Sequence, residues 1–134
     1  MESVGIGATY LQIGKYRTTM QELTIYHNPR CSKSRETLNR ILEAGREPKV
    51  VEYLKNPPTP EEIDMICAKL DVSVEDIVRK DEKLYQDKFK GKKFNDLEWR
   101  IVLSEHPKLI QRPIVISGAK GVIGRPPENV DRLL

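Results

Sequence analysis

The chain has 134 residues, enough for one domain with its own hydrophobic core and too few for two comfortable ones. Its 23 lysines and arginines against 20 acidic residues leave a net charge of +3, too small to argue for nucleic acid as a general partner. Two cysteines in unlike surroundings and two histidines supply neither a disulfide framework nor a metal site, and a reducing cytoplasmic setting suits them.

Residues 1–19 carry scattered glycines and no apolar run of the length a signal peptide or membrane span needs. They read as an N-terminal extension, expected to be mobile, ahead of a single domain over residues 20–134. Residues 23–26 form a short, β-forming stretch that stops at Asn28-Pro29, the first predicted strand. Leu38, Ile41 and Leu42 then recur at helical spacing until Gly45, which reads as a C-terminal cap. Residues 50–53 give a second strand, and the helix between the two makes a parallel βαβ unit the natural arrangement.

After the break at Asn56-Pro57-Pro58, Thr59-Pro60-Glu61-Glu62 opens a helix with a capping threonine, a proline at the first helical position and a glutamate placed to reach back. Along it Ile63, Ile66, Cys67 and Leu70 fall on one face, so Cys67 is expected in the packed core. Ser73-Val74-Glu75-Asp76 and Asn95-Asp96-Leu97-Glu98 repeat the start signal, the second for a helix to about Glu105. Between them residues 88–93 read as a solvated basic loop. Residues 114–116 and 122–123 are strands joined by a turn-rich connection, and a closing helical stretch places Val130, Leu133 and Leu134 on one side. The order predicts an α/β fold on the thioredoxin-like plan: a mixed sheet from βαβ then ββα, with an inserted helical block.

A free cysteine is most often a small buried hydrophobe. Cys31 fits that poorly, because it stands in His27-Asn28-Pro29-Arg30-Cys31-Ser32-Lys33-Ser34-Arg35, a polar run where a strand ends and a helix begins. The first N–H groups of a helix stabilise thiolate, the reactive form of the side chain. His27, Arg30, Lys33 and Arg35 crowd the same residues and are expected to push the thiol further toward ionisation. Three distant arginines are candidates to converge there: Arg79 at the end of a middle helix, and Arg112 and Arg125 beside prolines at strand ends. Arginine's planar fork suits a tetrahedral oxyanion such as phosphate, sulfate or arsenate.

The ordered pieces His27-Asn28-Pro29-x-Cys31-x-x-Ser34-Arg35, Tyr53-Leu54, Asn56-Pro57-Pro58, Val78-Arg79-Lys80, His106-Pro107, Arg112-Pro113-Ile114-Val115 and Gly124-Arg125-Pro126 span nearly all of the chain from Leu23. With them the sequence resembles the glutaredoxin-coupled arsenate reductases, within the wider group that also holds the Spx-type transcription regulators. The resemblance implies Cys31 as the nucleophile toward arsenate, Arg79, Arg112 and Arg125 as the oxyanion clamp, His27 and Ser34 as residues that tune the thiolate, and Pro113 as the cis-proline beside the site. It implies no bound cofactor and no metal, with glutathione as co-substrate and glutaredoxin as partner, because neither Ser34 nor Cys67 is placed to resolve an adduct on Cys31. The sixth residue after Cys31 is Thr37, so the C-x5-R loop of the phosphatase-like arsenate reductases is absent. Ser32-Lys33 departs from the small residues common at those positions and leaves the substrate open to another oxyanion or to mixed disulfides with glutathione. The resemblance leaves two other readings: an Spx-like polymerase-binding regulator, with Ser34 where the usual CxxC switch has its second cysteine, and a monothiol glutathione-dependent oxidoreductase.

Overall fold

Four short strands make one mixed sheet in the computed structural model, which describes residues 21–134; the extension expected over 1–19 lies outside the described residues. They are β1 (Leu23–His27), β2 (Lys49–Glu52), β3 (Ile114–Ser117) and β4 (Lys120–Ile123), in the spatial order β2-β1-β3-β4. β1 and β2 run parallel, connected by helix α1 (Ser32–Glu43), while β3 pairs antiparallel with both β1 and β4. Helices α2 (Pro60–Leu70) and α3 (Asp96–Glu105) form the inserted block.

The period-two alternation of the strands sorts the core into two layers. Leu23, Ile25, Val115 and Val122 face α1 and the C-terminal segment, where they bury Ile41 and Val130. Tyr26, Ile114 and Ile116 face the opposite way, against Ile63, Ile66, Trp99 and Leu103 of α2 and α3. Cys67 belongs to this second layer, and burial pushes its thiol up to about 11.

Local chemistry sets the element ends. Gly45 adopts φ +79°, which lets its N–H reach Leu42 O at 3.0 Å and that of Arg46 reach Ile41 O at 3.2 Å, a Schellman closure of α1. At the start of α2 the Thr59 hydroxyl accepts the Glu62 N–H at 3.1 Å, but the Glu62 carboxylate does not reach back as the sequence pattern predicts. It accepts instead from the Tyr26 hydroxyl at 2.8 Å, tying α2 to the sheet. The full capping box forms at Asn95 and Glu98.

Two predicted helices are 3₁₀ turns. Val74–Ile77 carries the Ser73–Asp76 capping box but ends after four residues, so Arg79 follows a turn rather than closing an α-helix. Pro127–Leu133 is likewise 3₁₀; Val130 is fully buried, whereas Leu134 is 38% exposed and lies off the packed side. The stretch expected as a basic loop is helical at its start and flanked by apolar packing: Phe89 ends a π-helical turn over Tyr85–Phe89, and it and Phe94 meet Trp99 at ring separations of 6.4 and 5.1 Å.

One edge of the sheet collects the chain segments that carry the candidate residues. β1 and β2 end side by side there, β3 begins there, and β4 ends there. An isolated bridge between Val78 and Ile110, with the Arg79 N–H on Leu109 O at 2.6 Å, pins the segment bearing Arg79 to the approach to β3. Gly124 lets the end of β4 lie against α1, since a Cβ there would stand 2.6 Å from Thr37 Oγ1 and 2.9 Å from Pro113 Cγ. The peptide bonds Arg112–Pro113 and Arg125–Pro126 are both cis.

Candidate active site

The turn that presents Cys31 is built from its own sequence. Pro29 occupies the second position of a turn in which the Cys31 N–H bonds Asn28 O at 3.0 Å, and the Asn28 side chain accepts the Arg30 N–H at 3.0 Å. Cys31 is therefore the N-cap of α1, with φ −98° and ψ 123°. Its side chain is only 9% exposed, more enclosed than the polar character of the run predicts, because segments from elsewhere in the chain close over it.

Burial opposes ionisation of the Cys31 thiol, and this is outweighed by the Ser34 N–H, the charge of Arg112, the Lys33 N–H and a hydrogen bond from Arg112, so the thiol sits below its ordinary range. The two N–H groups act on the sulfur electrostatically, although neither closes a capping hydrogen bond of ordinary geometry. The Arg125 Nη1 lies 3.9 Å from Sγ and 3.4 Å from Arg112 O, which draws the loops bearing the two arginines together over the sulfur.

The neighbouring basic side chains contribute differently from the sequence expectation. Arg35 donates to Pro29 O at 3.0 Å, Arg30 is exposed, and His27 turns to Ser34, its Nδ1 2.6 Å from the hydroxyl. Burial, with Glu52 opposing and Arg35 adding, holds His27 below its usual range, so the ring is neutral at neutral pH. The Ser34 hydroxyl also accepts the Asn28 N–H at 3.0 Å, so the one side chain ties both the His27 ring and the start of the turn. Ser34 thus serves the thiol through its backbone, and its side chain, with His27, locks the turn.

The three arginines come together in unequal states. Arg112 has Nε and Nη1 buried with no hydrogen-bond partner. Arg79 shares a cleft of about 120 Å³ with Arg112, Asn28 and Tyr53, and a larger one with Arg125. Its guanidinium is ion-paired, Nη1 to Glu82 Oε2 at 2.6 Å. Sequence reasoning did not single out Tyr53 as a functional residue. The phenol is 2% exposed, and burial pushes it up to about 12 against the pull of Arg112, Arg79 and the Asn28 amide, so it keeps its proton as a neutral donor beside the cleft. Its signal was positional: it directly follows β2, at the carboxyl end of a parallel pair, where α/β sheets place their ligands. Among the described residues no group of His, Cys, Asp and Glu side chains could hold a metal ion, and no helix is long and apolar enough to cross a membrane.

Alkylation with iodoacetamide tests the thiol. Only thiolate reacts, so the rate at Cys31 rises with a midpoint below that of a free cysteine, and Cys31 is modified at neutral pH where Cys67 is inert. The corresponding stability contribution is present above the unfolded-state pKa and is lost as pH falls through the lowered folded-state one. A Cys31 profile coincident with that of a free thiol would contradict the electrostatics.

A mixed βαβ and ββ sheet with Cys31 at the N-terminus of its first helix, Arg112 and Arg125 beside the sulfur and a cis peptide before Pro113 is a thioredoxin-like arrangement. The ArsC family model matches residues 26–133, and the chain belongs to that family. An arsenate reductase of Acidiphilium multivorum is 39% identical over 112 residues, 83% of this chain and 79% of the relative. Uncharacterized protein YfgD of Escherichia coli K12 is 40% identical, covering 82% of this chain and 94% of that one. Among solved structures, an arsenate reductase from Vibrio cholerae superposes with a TM-score of 0.82 at 38% identity, covering 87% of this chain and all of that one.

Proposed function

We propose that the protein is a thiol-dependent arsenate reductase in which Cys31 attacks arsenate held by Arg112, Arg125 and Arg79. The observation that carries this reading is the half-buried Arg112, whose Nε and Nη1 are buried and lack partners while its charge acts on the Cys31 sulfur. Leaving buried charged donors unsatisfied costs roughly 1–3 kcal/mol or more, a cost that an oxyanion accepting from one of them lowers. Thiolate and oxyanion repel one another, and the cationic cluster makes their approach favourable. The names of the relatives support the same substrate.

In the first step the Cys31 thiolate forms a sulfur–arsenic bond, and one arsenate oxygen leaves as water after protonation. A glutathione thiol then supplies the second sulfur. Arsenic gains two electrons and departs as arsenite, while the two sulfurs are oxidised to a mixed disulfide of Cys31 and glutathione. Cys67, a free cysteine packed in the core layer of α2 and α3 with its thiol pushed up by burial, is not the resolving thiol in this reading. Glutaredoxin reduces the mixed disulfide and returns Cys31 to thiolate.

Arsenite formation from arsenate by the purified protein, glutathione and glutaredoxin tests the proposal, with one disulfide expected per arsenite. Folded protein that oxidises no thiol above background on adding arsenate would overturn it. Reduction of glutathione mixed disulfides without arsenate would favour the monothiol oxidoreductase reading.

A further inference from the structure

The arginine cluster contains a carboxylate, which a simple anion site would exclude. Glu82 Oε2 lies 2.6 Å from Arg79 Nη1, the two side chains being 23% and 14% exposed, and Oε1 lies 3.8 Å from Lys108 Nζ. Asp81 also approaches Arg79, at 3.8 Å, but its side chain is 80% exposed and its charge is screened by water. Glu82 instead lines the cleft shared by Arg79, Arg112, Asn28 and Tyr53.

A carboxylate that only fixed Arg79 could do so from outside the cleft. Inside it, Glu82 repels an incoming anion, and like-charge contacts of this kind discriminate between ligands. The repulsion becomes an attraction when the anion brings a proton, because an O–H on a carboxylate makes a short, charge-assisted hydrogen bond. Arg79 and Lys108 leave lone pairs of the carboxylate free to accept one. Arsenate and phosphate retain a proton at neutral pH, whereas sulfate retains none.

We propose that Glu82 is a specificity-determining residue of the oxyanion pocket: it orients Arg79 and selects oxyanions that carry a proton over fully ionised ones. This rests on the reading of Arg79, Arg112 and Arg125 as an oxyanion clamp. Tyr53, which keeps its phenolic proton, donates to either kind of anion and does not discriminate.

Protection of Cys31 from iodoacetamide, read at that residue by mass spectrometry, tests the proposal without turnover. Phosphate serves as the probe with arsenate's shape and proton, and sulfate as the probe without a proton. In the unaltered chain phosphate protects at concentrations at least roughly tenfold below sulfate, and in Glu82→Gln, whose amide also donates, the two come within about threefold. Glu82→Asp, which keeps the charge, retains the preference. An unchanged phosphate-to-sulfate ratio in Glu82→Gln, or equal gains for both anions, would overturn the proposal and reduce Glu82 to a structural ion pair while leaving the clamp in place. Protection by neither anion in the unaltered chain would remove the clamp itself and both readings with it.

Discussion

Cys31→Ser abolishes arsenate-dependent turnover, by at least roughly 10⁴-fold, while the thermal midpoint holds or rises. The two parts of this result have different origins. Serine lacks a thiolate, so no sulfur–arsenic bond forms and no electrons are delivered. Yet Cys31 is the N-cap of α1 and makes no side-chain capping bond, whereas serine is among the preferred residues at that position. Its smaller hydroxyl can accept an N–H of the first turn, a contribution of about 1 kcal/mol that offsets the loss of sulfur packing. Thermal denaturation alongside the arsenite assay checks both. Retained turnover would remove Cys31 as nucleophile, and a large fall in thermal midpoint would mean that the sulfur holds the loops together.

Arg112→Ala lowers kcat/KM by about 10²–10³-fold, the effect expected when one preorganised donor of an anion pocket is lost. The same substitution shifts the Cys31 alkylation midpoint to higher pH, since the charge and a hydrogen bond of Arg112 both help hold the thiol down. Stability changes little or improves, because Nε and Nη1 are buried without partners and their removal relieves a desolvation cost. Arg112→Lys restores the charge but not the planar fork, so the alkylation midpoint recovers more than turnover does. Steady-state kinetics, the alkylation profile and thermal denaturation of the two variants provide the check. An Arg112→Ala protein with unaltered kcat/KM would place the oxyanion elsewhere.

Much of the fold was legible because its signals are local. Pro29 in a turn, the Thr59 and Asn95 caps and Gly45 at positive φ each mark a boundary within a few residues of itself. The placement of Cys31 at the N-terminus of α1 was legible for the same reason, as was the burial of Cys67 in the core. Helix type was less so: the Ser73–Asp76 box caps a 3₁₀ turn with the same residues that would cap an α-helix, and what decides is how soon the chain must turn back toward Ile110. Phe89 and Phe94 sit among lysines, and only the position of Trp99 makes them core.

In the site the gap was electrostatic. The sequence places four basic groups beside Cys31, but one is held neutral against Ser34, another bonds a carbonyl, and the charge that reaches the sulfur belongs to Arg112, brought in by the pairing of β1 with β3. Tyr53 and Glu82 carry no motif of their own, and their relevance follows from the cleft that they line with Arg79 and Arg112.

A crystal structure of the protein soaked with arsenate tests most directly whether the Cys31 thiolate and the arginines form one anion-handling unit. The account predicts arsenic density bonded to Cys31 Sγ, with oxygens accepting from Arg112 Nε or Nη1 and from Arg125. Arsenate bound away from the sulfur, or a site occupied without contact to Arg112, would contradict it.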